Sequence, residues 1–144
     1  MDLVASVRKG AFSGVKVLWE LGKVIIPVAI LVRVLEGTGW MVYISNALAP
    51  LMHLFGVPGE GALVLVSANL SSVYAGLGTM AALTTLTVKQ KTILAAMMMI
   101  CHSAISETAL MAKTGAKAQW MLGARFVAMI VVGILLNLLL SGVA

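Results

Sequence analysis

The sequence predicts an all-α, polytopic membrane protein with about four to five membrane segments, some of them broken or re-entrant. Three observations lead there. Of the 144 residues, 61% are hydrophobic and only 10% charged, against roughly 25% charged in an ordinary soluble domain. Apolar runs approaching the roughly 20 residues a bilayer requires recur along the chain, bounded by Gly, Pro or basic residues. No run alternates with the period of two that marks strands. A mean hydropathy of +1.08 excludes a large soluble domain, and residues 1–144 read as a single membrane domain.

Residues 1–16 contain Arg8, Lys9 and Lys16 without a long apolar core or a small-residue cleavage site. They read as a basic, interfacial lead-in rather than a removed signal peptide. The first span is expected over Leu18–Leu35, with Pro27 kinking it and Glu20 pairing with Lys23 three residues on. After Gly37 and Gly39 comes "WMVYISNALAPLMHLFGVPGEG". Trp40 and Tyr43 suit the membrane interface, Pro50 interrupts the segment, and Gly56 and Pro58 end it, so it either crosses or dips in and returns. Residues 59–86 are long enough to cross, yet rich in Ser, Asn and Gly at their middle. Ala68, Ser72 and Gly76 form a small-residue ridge for close helix approach, and Asn69 with Ser67, Ser71 and Ser72 marks a place where the helix opens.

Thr87-Val88-Lys89-Gln90 has capping-box spacing and starts a helix expected to run to about Ala112. The last span is expected over Gln119–Leu140, with Arg125 snorkelling and Asn137 bonding at an interface. Lys and Arg gather at segment ends, so the net charge of +5 reads as contact with lipid phosphate, without a nucleic-acid partner. If Trp40 to Gly56 crosses, Lys89 and Lys91 lie opposite the remaining basic residues. If it re-enters, they join the N-terminal group while Lys113 and Lys117 move across. Orientation stays open.

The stretch "MMMICHSAISETALMAKTG" puts His102, Ser103, Ser106 and Glu107 inside an apolar run, where hydrocarbon offers no partners. On an intact helix His102 and Glu107 would stand about 140° apart, at roughly 100° per residue, so they converge only if the helix breaks between them. The leading reading is a midplane site for a small polar or anionic solute, formed by Ser67, Asn69, Ser71 and Ser72 opposite His102, Ser103, Ser106 and Glu107 around a wet cavity. One alternative is a divalent metal site, ferrous iron for instance, from Cys101, His102 and Glu107, near the methionine run Met97–Met99. Another is a polar patch that only holds helices or subunits together. No nucleophile, base and oxyanion turn are specified together, so an enzyme is not expected, and no cofactor is called for. The single Cys101 rules out an internal disulfide.

"FGVPGEGALVLVSANLSSVYAGLGTMAAL" and "ICHSAISETALMAKTGA" resemble the Gate-domain, nucleoside-recognition family of small bacterial membrane proteins, which includes spore maturation proteins A and B. The resemblance runs from about Lys16 to the C-terminus, with G-V-P-G-E at Gly56–Glu60 and E-T-A-L-M-A-K-T-G at Glu107–Gly115 as its clearest parts. It implies kinship with the core of concentrative nucleoside transporters and with the membrane part of ferrous iron transporter B. From it follow re-entrant hairpins, a midplane polar site, alternating access and residence in the bacterial cytoplasmic membrane. It also implies a homo- or hetero-oligomer with a related chain, each forming half of a permease. Around Glu107 the order is Ser-Glu-Thr-Ala with no proline, unlike the corresponding segment of nucleoside transporters, which leaves the solute class open.

Overall fold

The computed structural model describes residues 3–104, 107–108, 111, 115 and 117–142, all helix or connecting turn, with no strand among them. Helix α1 (Leu3–Thr38) runs unbroken from the basic lead-in through Pro27, so the lead-in and the expected first span are one helix of roughly 54 Å at 1.5 Å per residue. Glu20 and Lys23 pair at 2.9 Å on its exposed surface. Gly39, at φ 76°, turns the chain into α2 (Trp40–Met52). Pro50 does not interrupt α2. It sits two residues before the helix end, where the backbone bond it removes is one of the last and the following turn, His53–Phe55, is already 3-10.

The G-V-P-G-E motif makes the reversal that follows. Gly56 takes the left-handed conformation at φ 65°, the region glycine enters without penalty. Val57 is buried, and Pro58 is extended and leads into the 3-10 turn Gly59–Gly61. Gly59 lies against α2 so closely that a Cβ there would overlap the Ser45 carbonyl. The Glu60 carboxylate accepts from Thr85, and the Gln90 amide donates to the Gly56 carbonyl at 3.3 Å. Through this motif the segments Trp40–Phe55 and Gly59–Leu70 meet at 87°.

Helix α3 (Ala62–Leu70) and helix α4 (Val73–Ala82) pack against each other, and α4 also packs on α1. The expected ridge is folded in two. Because the chain breaks at Ser71 and Ser72, Ala68 and Gly76 sit on different helices, and a Cβ on Gly76 would lie 2.8 Å from that of Ala68. Small residues here let α3 and α4 close on one another. Thr87 and Gln90 form the full capping box at the start of α5 (Val88–Ile100). Helix α6 (Ala118–Leu139) packs on α5 and on the His53–Phe55 turn, where the Asn137 amide donates to the Leu54 carbonyl.

Met52, Val64, Leu83, Ile93, Leu94, Met97 and Met98 form the fully buried core. Met97 and Met98 therefore fill space, as flexible thioethers do well. By contrast Val127, Leu135, Leu138 and Leu139 of α6 are exposed, an apolar surface that water tolerates badly and lipid accepts. Among the described residues one helix, Ala118–Gly142, is long and apolar enough to cross a bilayer, and the bent pair through the G-V-P-G-E motif qualifies when taken as one span. Helices α3, α4 and α5, of 9, 10 and 13 residues, are each shorter than the roughly 30 Å hydrocarbon layer.

Gly59→Ala is expected to lower stability by about 2–3 kcal/mol, because the obstructing atom is a backbone carbonyl that cannot rotate away. Thermal unfolding of the detergent-solubilised protein checks this, with Gly123→Ala, which meets open space inside a helix and is expected to be neutral to slightly stabilising, as the comparison.

Candidate functional site

Two chain breaks cross at one place. Helix α3 ends at Leu70, Ser71 adopts φ −117°, ψ −81°, and extended Ser72 restarts the helix by accepting the Ala75 N–H at 3.3 Å. Helix α5 ends at Ile100, Cys101 is extended, and Ser103 takes the left-handed region at φ 48° before helical backbone resumes at Ala104. Each break frees backbone groups that must be satisfied away from water. The Ala68 carbonyl, which a continued α3 would pair with the N–H of Ser72, accepts instead from Ser103 N–H at 2.8 Å. The Ile100 carbonyl accepts from Arg125 Nε at 3.1 Å.

Side chains reinforce the crossing. Asn69 donates from Nδ2 to the Leu65 carbonyl at 2.8 Å and accepts at Oδ1 from the buried Cys101 thiol at 3.3 Å. Ser67 accepts from Thr79 Oγ1 at 3.0 Å, tying α3 to α4. His102 Nδ1 lies 3.3 Å from Ser103 Oγ and 3.5 Å from Glu107 Oε1. The break thus removes the angular separation that an intact helix would impose on His102 and Glu107. Glu107 Oε2 is ion-paired with Arg125.

Of the sequence-predicted residues, Asn69, His102, Ser103 and Glu107 meet around this crossing. Ser67 and Ser72 serve the α3–α4 hairpin, Ser71 is exposed in the break, and Ser106 lies outside the described residues. The set Cys101, His102 and Glu107 is not gathered on one point, since the thiol turns to Asn69 while the imidazole faces Glu107. Among the described residues no group of three His, Cys, Asp or Glu side chains is placed to hold a metal ion. Arg125 corrects the sequence reading: rather than snorkelling to an interface, it turns inward to Glu107 and Ile100. Buried Thr79 was also missed. Arg125 is the one charged residue of Ala118–Gly142, and a lone charge in an apolar span asks for an opposite charge. Thr79 gave no such signal.

Among the described residues the polar centre borders a small void. A void of about 30 Å³ lies against Glu107, Arg125, Thr108 and Met111, room for water and too small for an organic solute. A larger cleft of about 390 Å³ between α2, α3 and α6 reaches Asn69 but is otherwise walled by side chains such as Leu48, Phe55, Leu65 and Phe126.

Two interrupted helical segments crossing at one place, joined by polar groups and flanked by exposed apolar surface, define the class: a helical membrane protein whose interrupted segments build a polar centre. The chain belongs to the Gate family, described as nucleoside recognition, whose model matches residues 18–118. It is similar to the uncharacterized membrane protein YvoD of Bacillus subtilis (strain 168), with 38% identity over 133 residues, covering 92% of this chain and 42% of that protein. The chain thus spans less than half the length of that relative. No solved structure matches it. Glu107 lies within the family match and Arg125 beyond it.

A double-mutant cycle on Glu107→Gln and Arg125→Gln is expected to give a coupling above about 1 kcal/mol in thermal or denaturant unfolding, because each single change leaves the other group without its counter-ion. The exposed pair Glu20 and Lys23, treated the same way, is expected to give less than half of that.

Proposed function

We propose that the chain is a transport subunit, one half of an inverted-repeat permease of the bacterial cytoplasmic membrane, crossing it several times. It binds a small polar or anionic organic solute where the two breaks cross. The observation that carries this reading is the crossing itself: Ser103 N–H on the Ala68 carbonyl and Cys101 on Asn69, with Glu107 alongside. Discontinuous helices meeting near the bilayer midplane are how secondary transporters expose backbone dipoles and polar side chains to a substrate. Membership of a family described as nucleoside recognition supports a solute-binding role. In this reading His102, Glu107 and Asn69 line the pathway, and the closed ion pair is one end state of alternating access. The other half is a second copy or a related Gate chain. The relative's length beyond the 42% matched here leaves room for such a unit in a single polypeptide.

Uptake into proteoliposomes of a labelled nucleoside and of labelled small organic acids tests this, with the partner chain co-reconstituted where one exists. Glu107→Gln is expected to lower uptake about tenfold or more and to flatten its pH dependence, while Lys23→Gln leaves it intact. Unchanged uptake and pH dependence in Glu107→Gln would remove Glu107 from the pathway.

One observation favours the reading of a purely structural patch: no buried side-chain nitrogen or oxygen among the described residues lacks a partner. That reading predicts that changes at His102 or Glu107 disturb assembly and leave transport by any intact complex unaffected.

A further inference from the structure

Arg125 is the residue of this centre that no sequence motif announced. We propose that it is the anion-binding residue of the site, taking a small carboxylate carried by the solute in exchange for the Glu107 carboxylate. This rests on the reading of the crossing as a solute site and names its solute class as small organic acids.

The geometry favours exchange over a fixed bridge. Arg125 is held at Nε by the Ile100 carbonyl, so the guanidinium keeps its aim whether or not Glu107 is present. Its outer nitrogens form a rigid fork that matches a carboxylate. Its backbone belongs to the long, unbroken α6, whereas Glu107 follows the α5 break directly, its N–H bonded to the Ser103 carbonyl at 3.0 Å. The acceptor therefore stands just past a chain break and the donor on an unbroken helix. Both side chains border the 30 Å³ void and retain about a third of their surface, at 35% and 31%. Withdrawing the Glu107 side chain enlarges that void by the volume a carboxylate needs.

Charge then dictates the order of events. A guanidinium in an apolar segment keeps its proton and cannot be left without a counter-charge. Among the described residues, the groups facing Glu107 are Arg125 from α6 and His102 from the break, and Cys101 lies nearby bonded to Asn69; Arg125 is the permanent charge among them. When the Glu107 side chain moves aside, one solute carboxylate replaces its carboxylate on the guanidinium. The guanidinium thus keeps one counter-charge throughout. The Glu107 carboxylate is a tethered copy of the solute's own head group.

Acetate, the smallest carboxylate that reproduces the Glu107 head group, is the probe, and thermal unfolding of the whole purified chain is the readout, against chloride at equal ionic strength. In Glu107→Gln at neutral pH, acetate is expected to raise Tm by about 2 °C or more over chloride. The Glu107→Gln/Arg125→Gln double variant is expected to show no difference between the two salts. The unmodified chain at the same pH is expected to show a measurable rise of about half that size or less, because its own tethered carboxylate competes for the guanidinium. A bridge that never opens would give no acetate-specific rise in the unmodified chain. If Glu107→Gln does not fold, Glu107→Ala replaces it with the same expectation. No acetate-specific rise in Glu107→Gln or Glu107→Ala, an equal rise in the double variant, or none in the unmodified chain overturns the proposal. Loss of all transport with the acetate response intact would instead overturn the permease reading and leave the anion site standing.

Discussion

The hydrogen bond from Ser103 N–H to the Ala68 carbonyl is the constraint on which the rest of the centre depends. A helix interrupted inside hydrocarbon leaves donors and acceptors with no water to turn to, each at a cost of several kcal/mol. Here the two interruptions solve each other's problem. The acceptor freed at the end of α3 takes the donor freed at the end of α5, and the Ile100 carbonyl left over takes Arg125. Neither break is tolerable alone, so the two segments must cross at this point and in this register.

From that crossing the polar side chains inherit their positions. Asn69 stands at the end of α3, so its amide reaches Cys101, and His102 lies inside the second break, so its ring faces Glu107. Glu107 then needs a cation, and α6 supplies the one charge it carries. The G-V-P-G-E reversal acts at a distance on the same arrangement. By turning the chain through 87° and bonding Gly56 to Gln90 of α5, it fixes where α3 begins relative to α5, and so where their far ends meet.

Much of this was legible beforehand because it follows from local chemistry. The capping box at Thr87 and Gln90 needs only the four residues it spans. The opening near Asn69 was visible as serines and glycines inside an apolar run, and the break near His102 as hydroxyls that can accept freed backbone bonds. The misread features are those whose meaning lies in a distant residue. Pro50 was taken for an interruption because its cost depends on how soon α2 ends. The Ala68, Ser72 and Gly76 spacing was taken for one helix face because the break between them is not written in the spacing. Arg125 was sent to the interface because, near a segment end, snorkelling costs less than burial unless a carboxylate waits inside.

The amino-acid order alone determined the solvent, the helical class, the places where the chain must open and the family to which it belongs, since each is set by composition or by neighbours a few positions apart. Only the tertiary structure decided that the two openings satisfy one another, that Glu107 faces Arg125 rather than a metal-binding thiol, and that this ion pair borders a void the size of water. Those outcomes depend on residues dozens of positions apart, whose meeting is fixed by the need to leave no backbone group unpaired in a low-dielectric interior.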